Sequence, residues 1–144
     1  VQTNTLHWNA LGVTSGRYHD IIGLGLHSYS TLGDYYFQNF LELRDYELAV
    51  TNGKFPIHRG HILNRDDKIR RDVIKTLRNF FFLNYVDIEE KYDMEFKEYF
   101  KEEIVALAKF SEDGLLELSD NRIIINELGY QFTDLFCSVF DSYI

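Results

Sequence analysis

The sequence predicts an α+β fold that is mainly helical. Its 144 residues are 45% hydrophobic and 26% charged with a single proline, a composition typical of a globular chain that can bury a core. A short apolar run closed by glycines, residues 20–26, predicts a buried strand near the start. From Asp66 onward apolar residues recur at helical spacing, so most of the remaining chain is expected to be helical.

The N-terminal segment, residues 1–50, is expected to be irregular and rich in glycine. Residues 21–26 are apolar at successive positions, which suits a strand of a parallel sheet whose neighbours lie outside this segment. Residues 34–48 have one apolar and one charged face and predict a helix. Turn-forming residues fill 50–59, so the boundary with a C-terminal domain, residues 51–144, is placed there.

The C-terminal domain is predicted to contain helices, then a hairpin, then a last helix. A first helix over 66–83 begins with an aspartate that can act as its N-cap, and apolar spacing predicts a second helix over 95–110. Two apolar runs, 115–118 and 122–125, flank a turn and predict a β-hairpin. Asn126 can cap the last helix. This order of elements resembles a winged-helix arrangement.

Composition and charge exclude several classes of protein. The formal net charge of −8 argues against general nucleic-acid binding. No apolar run approaches the ~18 residues that a membrane helix needs, and we expect no secretory leader. Cys137 is the only cysteine, so this chain alone cannot supply a cysteine-ligated zinc or iron–sulfur site. We expect a cytoplasmic protein, and because Met94 is the only methionine we expect a processed product or an excised piece.

Positive charge is concentrated in residues 59–78, which carry a net charge of +4 while the rest of the chain is acidic. Four basic side chains of the predicted first helix fall together on the face opposite its apolar stripe: Lys68, Arg71, Lys75 and Arg78. This basic stripe could be a solvated helix face or could bind an anion. Arg70 instead falls within the apolar arc, so its guanidinium is expected to have an internal carboxylate or carbonyl partner or to hold a ligand carboxylate.

The glycine pair Gly23 and Gly25 is the other candidate site. The stretch has Ser28 where a dinucleotide-binding fingerprint has its third glycine, so that function is discarded. A glycine pair after a strand lets a ligand approach the backbone closely, although a tight packing turn explains it equally well. Three histidines lack the spacing of a metal site: His27, His58 and His61. Cys137 is expected to be a packed thiol and not a nucleophile, and no metal ligand is expected.

Several stretches match a known enzyme family over nearly the full chain. The most specific are Gly-Asp-Tyr-Tyr-Phe-Gln-Asn at 33–39 and Ile-Arg-Arg-Asp-Val-Ile at 69–74. Leu-His-Trp-Asn-Ala-Leu-Gly at 6–12 and Asp-Ile-Ile-Gly-Leu-Gly at 20–25 accompany them. With these motifs the sequence resembles the C-terminal portion of the oxygen-independent coproporphyrinogen III oxidases, radical SAM enzymes of haem biosynthesis.

The resemblance implies an enzyme that removes the carboxyl groups of two propionates of coproporphyrinogen III, leaving vinyl groups, without molecular oxygen. A radical made from SAM at a [4Fe–4S] cluster would start the reaction, and a CxxxCxxC motif would hold the cluster. These 144 residues contain no such motif. The resemblance therefore implies the closing strand of a partial (β/α) barrel followed by a helical C-terminal domain, inactive alone and partnered by upstream polypeptide.

The resemblance also implies roles for individual residues, although none in this portion is expected to be catalytic. Tyr29 stands in the loop where the family contacts SAM, in a stretch that reads His-Ser-Tyr-Ser where the family has Ser-Ala-Ile-Ser. Trp8 stands where the family usually has arginine. The substrate carries four carboxylates, which suit guanidinium groups. Three arginines are expected to hold propionates or the loops beside them: Arg59, Arg70 and Arg71.

Two alternatives remain open. The chain could be a porphyrin- or haem-binding paralogue without oxidase activity, which the departures at Trp8 and Tyr29 allow. It could also be an independent winged-helix DNA-binding domain, but the predicted helix over 95–110 is not basic and the basic helix comes first, where recognition helices do not lie. We therefore expect a porphyrinogen substrate, and neither nucleic acid nor a membrane as a partner.

Overall fold

The computed structural model describes residues 6–9, 12–15 and 20–144, the first two ranges by their backbone. Helices and strands are both present, which confirms a mixed fold. The chain divides into two compact units, Val1–Lys68 and Ile69–Ile144, called here the first and second units. Residues 57–62, which the predicted boundary at residues 50 and 51 assigns to the C-terminal domain, form a strand that pairs within the first unit.

The first unit consists mainly of antiparallel strands. The described strands and the helix that lies between the last two of them are, in chain order, β1 (Leu6–Asn9), β2 (Gly12–Ser15), β3 (Tyr29–Leu32), β4 (Tyr35–Asn39), α1 (Leu43–Thr51) and β5 (Ile57–Ile62). Strand β1 pairs with β2, and β4 lies between β3 and β5 in a second sheet. Trp8 lies in β1, and its side chain is outside the described residues.

The predicted buried strand over residues 21–26 is wrong. One antiparallel bridge, between Ile21 and Thr31, is the only strand-like pairing in this segment, and the side chains of Ile22 and Leu24 are exposed. The segment remains a loop because its backbone polar groups are bonded largely by side chains from elsewhere in the first unit. An apolar run closed by glycines therefore marks an exposed loop here.

The predicted helix over 34–48 is wrong in its first half. Gly33 has a φ of +56° in the turn after β3, and the aromatic residues that follow favour a strand. Strand β4 results, and the helix α1 begins only at Leu43. The register between β4 and β5 shifts at Gln38 and Asn39, so both of these consecutive polar side chains are buried.

Helix α2 (Arg65–Phe80) confirms the first predicted helix of the C-terminal domain. Its start is set by Asn64 and not by Asp66, because the side chains and backbone N–H groups of Asn64 and Asp67 bond each other reciprocally, each at 2.9 Å. The helix ends earlier than predicted because Phe81 has a φ of +60°, which turns the chain into a strand. Helix α2 thus begins in the first unit and continues in the second.

The second unit combines short helices with a three-stranded antiparallel sheet of order β6–β8–β7. Its elements after α2 are β6 (Phe82–Asn84), α3 (Tyr85–Tyr92), α4 (Phe96–Tyr99), α5 (Lys101–Glu112), β7 (Leu116–Leu118), β8 (Arg122–Ile125), a 3₁₀ turn (Tyr130–Phe132) and α6 (Thr133–Val139). The predicted hairpin is confirmed as β7 and β8. The second predicted helix is interrupted at Phe100, and the last begins later because the Asn126 carboxamide accepts a hydrogen bond from Gly129 N in a turn.

The core of the second unit contains a cluster of packed aromatic rings. The ring of Phe96 stacks on that of Tyr85 with centroids 4.2 Å apart and lies 4.8 Å from that of Phe100. Phe100 in turn meets Phe140 edge to face at 5.2 Å. Each fully buried aromatic side chain stabilises the fold by about 2–3 kcal/mol through removal of its surface from water. No helix within the described ranges has both the length and the apolar composition that a membrane crossing requires.

Candidate functional site

The segment from Gly23 to Tyr29, called here the glycine loop, connects the bridge at Ile21 to β3. Gly25 has a φ of +97° and His27 a φ of +60°. Glycine adopts such backbone angles freely, but a residue with a Cβ pays about 1 kcal/mol for them. His27 therefore keeps this conformation only because the surrounding contacts hold it.

One buried carboxamide contacts both glycines. The Asn39 side chain is 4% exposed, and its Nδ2 donates hydrogen bonds to the carbonyl oxygens of Gly23, at 3.2 Å, and Gly25, at 2.9 Å. The buried hydroxyl oxygen of Ser30 accepts a hydrogen bond from Gly23 N at 3.0 Å. The Tyr46 hydroxyl of α1 accepts another from Gly25 N at 3.2 Å. Strands β3 and β4 and helix α1 thus all shape the glycine loop.

The strained residue His27 is held from both sides. Its backbone N–H donates to the carbonyl of Phe40 at 3.1 Å, and its own carbonyl accepts a hydrogen bond from Nε2 of buried Gln38 at 3.3 Å. The other end of the Gln38 carboxamide accepts a hydrogen bond from Arg59 Nε at 2.9 Å. Gln38 therefore connects an exposed guanidinium on β5 to the backbone of the glycine loop.

Tyr29, the predicted cofactor contact, is the first residue of β3, and its side chain is 57% exposed. The two ends of the glycine loop approach each other closely, because a Cβ added to Gly23 would lie 2.5 Å from the carbonyl oxygen of Tyr29. Ile22 and Leu24 flank that glycine and are also exposed. The loop therefore presents apolar and aromatic side chains outward over a backbone fixed by hydrogen bonds.

Arg59 and Arg70, two of the predicted carboxylate-binding residues, have different surroundings. Arg59 lies in β5, is exposed, and is oriented by Gln38. Arg70 Nη1 lies 2.8 Å from a carboxylate oxygen of Glu103 and donates to the carbonyl of Phe140 at 3.2 Å. The guanidinium carbon of Arg70 is also 5.3 Å from the centre of the Phe100 ring. Its predicted need for a partner within the apolar arc is thus met inside the second unit.

Arg71, the third predicted residue, belongs to a group of charged side chains called here the Asp72 cluster, formed by Arg71, Asp72, Lys75, Lys91 and Tyr92. Asp72 is approached by Arg71 Nε at 3.3 Å, by Lys91 Nζ at 2.5 Å and by the Tyr92 hydroxyl at 2.6 Å. With Lys75 nearby, the cluster contains three cationic side chains and one carboxylate, so its own charges sum to a positive value.

Burial and the neighbouring groups of the cluster shift the pKa values of Asp72, Lys75 and Tyr92. Burial acts to raise the pKa of Asp72, but hydrogen bonds from Lys91 and Tyr92 and the charges of Lys91 and Arg71 outweigh it, and the pKa is lowered. Burial lowers the pKa of Lys75, and the charge of Arg71 adds to this effect. Burial raises the pKa of Tyr92, as does its hydrogen bond to Asp72. The cluster favours an ionised Asp72 and disfavours further positive charge.

The other members of the basic stripe form ion pairs. Lys68 Nζ lies 2.5 Å from a carboxylate oxygen of Asp34, within the first unit. Arg78 Nε donates to Asp134 at 2.9 Å, within the second. Two of the four cations of the basic stripe are thus neutralised by carboxylates, which weakens the attraction that a DNA-binding face would need.

The cysteine and histidines offer no metal centre in the part of the chain that is described. Cys137 is buried, its thiol faces the carbonyl of Ile74 at 3.8 Å, and burial raises its pKa to about 11. His61 Nε2 lies 2.9 Å from Asp67, the residue that caps α2. No group of three or more potential metal ligands occurs among the described residues. A [4Fe–4S] cluster, which needs several thiolates, does not fit the side chains described here.

The sequence predicted Tyr29, at the exposed end of the glycine loop. It did not predict the side chains that hydrogen-bond the loop backbone, which are Ser30, Gln38, Asn39 and Tyr46. The available signal was the polar pair that ends the Gly-Asp-Tyr-Tyr-Phe-Gln-Asn stretch, within an otherwise aromatic strand. Buried polar groups must be hydrogen-bonded, so such a pair indicates an irregular backbone segment nearby.

Comparisons with known proteins agree with the motifs. Residues 63–132 match the family described as HemN C-terminal domain. The chain is 36% identical over 143 residues to the oxygen-independent coproporphyrinogen III oxidase of Pseudomonas aeruginosa, covering 99% of this chain and 31% of that protein. It is 38% identical over 139 residues to the Escherichia coli protein of the same name, covering 96% of this chain and 30% of that one.

A solved structure is similar over almost the whole chain. It is coproporphyrinogen III oxidase (HemN) from Escherichia coli, described as a radical SAM enzyme, with a TM-score of 0.92 and 38% sequence identity. The similarity covers 98% of this chain and 32% of that one, so the chain spans about a third of the length of the proteins it matches. The chain is thus a relative of the oxygen-independent coproporphyrinogen III oxidases and corresponds to their C-terminal portion.

Proposed function

We propose that this chain is the C-terminal part of a radical SAM coproporphyrinogen III oxidase, where it covers the active site and helps to bind SAM and substrate. The reaction would be the anaerobic oxidative decarboxylation of two propionates to vinyl groups. The observation that carries this proposal is the similarity to the Escherichia coli enzyme over 98% of the chain, with a TM-score of 0.92. Upstream polypeptide would supply the rest of the barrel.

The glycine loop is the element proposed to contact SAM, through Tyr29. The loop fits this ligand because exposed Leu24 and Tyr29, with Ile22 just before the loop, offer the apolar and aromatic contacts that an adenosyl group takes. Its backbone stays fixed while they do so, because Gly23 N and Gly25 N already donate to Ser30 and Tyr46. We therefore assign recognition to the exposed side chains and the backbone near Tyr29.

The [4Fe–4S] cluster would be bound by upstream polypeptide, since the single buried thiol here does not fit it. When bound, the cluster supplies the electron that makes the radical from SAM. The role proposed for this chain is to orient SAM and to exclude water from the site. Residues 1–50 would then end a partial barrel, and residues 51–144 would form a winged-helix-like C-terminal domain.

The propionates are proposed to contact Arg59 and Arg71. Arg59 is exposed and held in one orientation by Gln38, which reduces the entropy lost when a carboxylate binds. Arg71 belongs to the Asp72 cluster, whose surplus positive charge attracts an anion. Arg70 is engaged by Glu103 and Phe140, so we assign it to the packing of the second unit and not to a substrate contact.

The proposal is tested with the protein as its gene encodes it. The reading frame before Val1 should contain a CxxxCxxC motif, and the purified protein, reconstituted with iron and sulfide, should convert coproporphyrinogen III to the divinyl product with SAM and reductant under anaerobic conditions. The Arg59→Gln variant should raise the KM for coproporphyrinogen about tenfold, because a charge-assisted contact is lost. Arg44→Gln, which changes an exposed arginine of α1, serves as the matched control.

A porphyrin-binding paralogue without oxidase activity is the second candidate. It is favoured by one observation, the exposed aromatic Tyr29 where the family has an aliphatic residue. Tight binding of porphyrin together with no release of carboxyl groups by the cluster-loaded protein would support this candidate and overturn the first.

A further inference from the structure

The conformation of the glycine loop depends on very few side chains. An isolated antiparallel bridge between Ile21 and Thr31 lies just before the loop. From there to β3 the backbone forms no other strand pairing. It nevertheless contains the unfavourable φ of His27 and a close approach between Gly23 and Tyr29. The absence of a Cβ at Gly23 permits the close approach, and hydrogen bonds from neighbouring elements must offset the cost of the His27 backbone angle.

Asn39 makes the largest single contribution to these hydrogen bonds. Its one NH₂ group bonds the carbonyls of Gly23 and Gly25, which lie on either side of exposed Leu24. Its own backbone N–H donates to the carbonyl of Ser28 at 2.9 Å. Asn39 thus contacts the beginning, middle and end of the loop.

The position of Asn39 makes these bonds rigid. The residue is 4% exposed, so water cannot readily replace the carboxamide, and the backbone irregularity between Gln38 and Asn39 fixes the direction of both side chains. A buried carbonyl that loses its donor is costly. A side chain of the same shape with no proton to donate should therefore release the loop.

We propose that Asn39 is the positioning residue of the glycine loop, and that its two side-chain hydrogen bonds hold the loop in the conformation that presents Tyr29 to SAM. The identity of the ligand rests on the function proposed above, whereas the control of loop conformation by Asn39 does not.

The test uses Asn39→Asp in the protein as its gene encodes it. The side chain keeps its shape, donates one hydrogen bond when the carboxyl is protonated, and donates none when it is ionised. The ratio of SAM dissociation constants, variant to parent, should therefore rise about tenfold with pH as the carboxyl ionises. Asn52→Asp is the matched control, because Asn52 also donates to a backbone carbonyl, that of Leu48, but at an exposed site.

Amide hydrogen exchange supplies a readout that is independent of SAM. At a pH where the carboxyl is ionised, Asn39→Asp should speed exchange at Gly25 and His27 at least tenfold and leave the amides of α2 to α6 unchanged. If Asn39→Asp does not fold, Asn39→Ser, which keeps one short donor, should show the same local increase without the pH dependence.

The outcomes separate the two proposals. A parent protein that binds no SAM contradicts the proposed function, and the exchange data still decide the role of Asn39. A parent that binds SAM, together with a variant whose affinity ratio is flat with pH and whose loop exchange is unchanged, overturns the positioning role. Faster exchange throughout the protein would also overturn it, because Asn39 would then support general stability only.

Discussion

The two units of this chain bury different kinds of side chain. In the second unit the fully buried residues are apolar, and an aromatic cluster of Phe96, Phe100 and Phe140 lies among aliphatic side chains. In the described part of the first unit the buried side chains are mostly polar: Ser30, Gln38, Asn39 and Asp67, with Leu63. Packing thus fixes the second unit, whereas hydrogen bonds fix the first. Substitutions should consequently lower global stability in one unit and change local loop conformation in the other.

The first unit also leaves large apolar side chains exposed, among them Leu24, Leu48 and Phe55. Under the proposed function, part of this surface would be covered by the upstream barrel. Buried polar side chains and exposed apolar side chains are what we expect of a segment whose apolar surface packs against the rest of a larger protein.

The largest predicted effect comes from the aromatic core. Phe100→Ala should lower the free energy of unfolding by about 4 kcal/mol, because it opens a cavity between two buried rings. The measurement is chemical denaturation followed by circular dichroism. Phe55→Ala is the control in the first unit, where the side chain is 86% exposed, and should change stability by less than about 0.5 kcal/mol. Equal effects of the two variants would contradict the distinction between the units.

The next largest effect concerns the ion pair between Arg70 and Glu103, which is largely buried in the second unit. Arg70→Met should lower the free energy of unfolding by about 3 kcal/mol, because it leaves the largely buried Glu103 without its guanidinium. Arg70→Met combined with Glu103→Met should recover most of the loss, since no charge then remains unpaired. A double variant as unstable as the single one would show that the pair contributes through packing alone.

A smaller effect of opposite sign is predicted at Tyr85. Its hydroxyl is the one buried side-chain polar atom without a hydrogen-bond partner among the described residues. Tyr85→Phe should therefore raise the free energy of unfolding by about 1 kcal/mol. Tyr92→Phe, which removes a hydroxyl that donates to Asp72, should lower it by a similar amount. Thermal unfolding of both variants makes the comparison, and destabilisation by Tyr85→Phe would contradict it.

The smallest effect is confined to acid pH and concerns the Asp72 cluster. The pKa of Asp72 is lowered in the folded chain from its ordinary 3.8, so the unfolded chain binds a proton first as the pH falls. The stability that Asp72 contributes is complete above pH 3.8 and is lost as the pH falls through the lower folded pKa. Asp72→Asn should accordingly flatten the acid side of a plot of unfolding free energy against pH, and an unchanged slope would contradict the shift.

Local patterns predicted the second unit well. Helix α2 and the hairpin of β7 and β8 follow from apolar spacing and turn residues within short windows of sequence, and the partner of Arg70 follows from its place in the apolar arc. Strand β6 and helix α3 were not predicted. The interruption at Phe100 was also missed, because helical periodicity continues on both sides of it.

The first unit was harder to predict because its structure depends on distant residues. The apolar spacing within 34–48 is typical of a helix. The first part of this segment forms a strand instead, because β4 pairs with β5, which follows in the sequence only after helix α1. The Asn39 bonds reach back 16 and 14 residues to Gly23 and Gly25, and no local pattern contains both ends. Motif resemblance located Tyr29 at the end of this loop, whereas the buried side chains that support the loop come from distant parts of the sequence.

The central claim, that the glycine loop is a SAM contact held by buried polar groups, is tested most directly by amide exchange measured with and without SAM in the protein as its gene encodes it. The account predicts that saturating SAM slows exchange in residues 21–29 and leaves the aromatic core of the second unit unchanged. Saturating SAM that protects other segments while residues 21–29 exchange as before would contradict it.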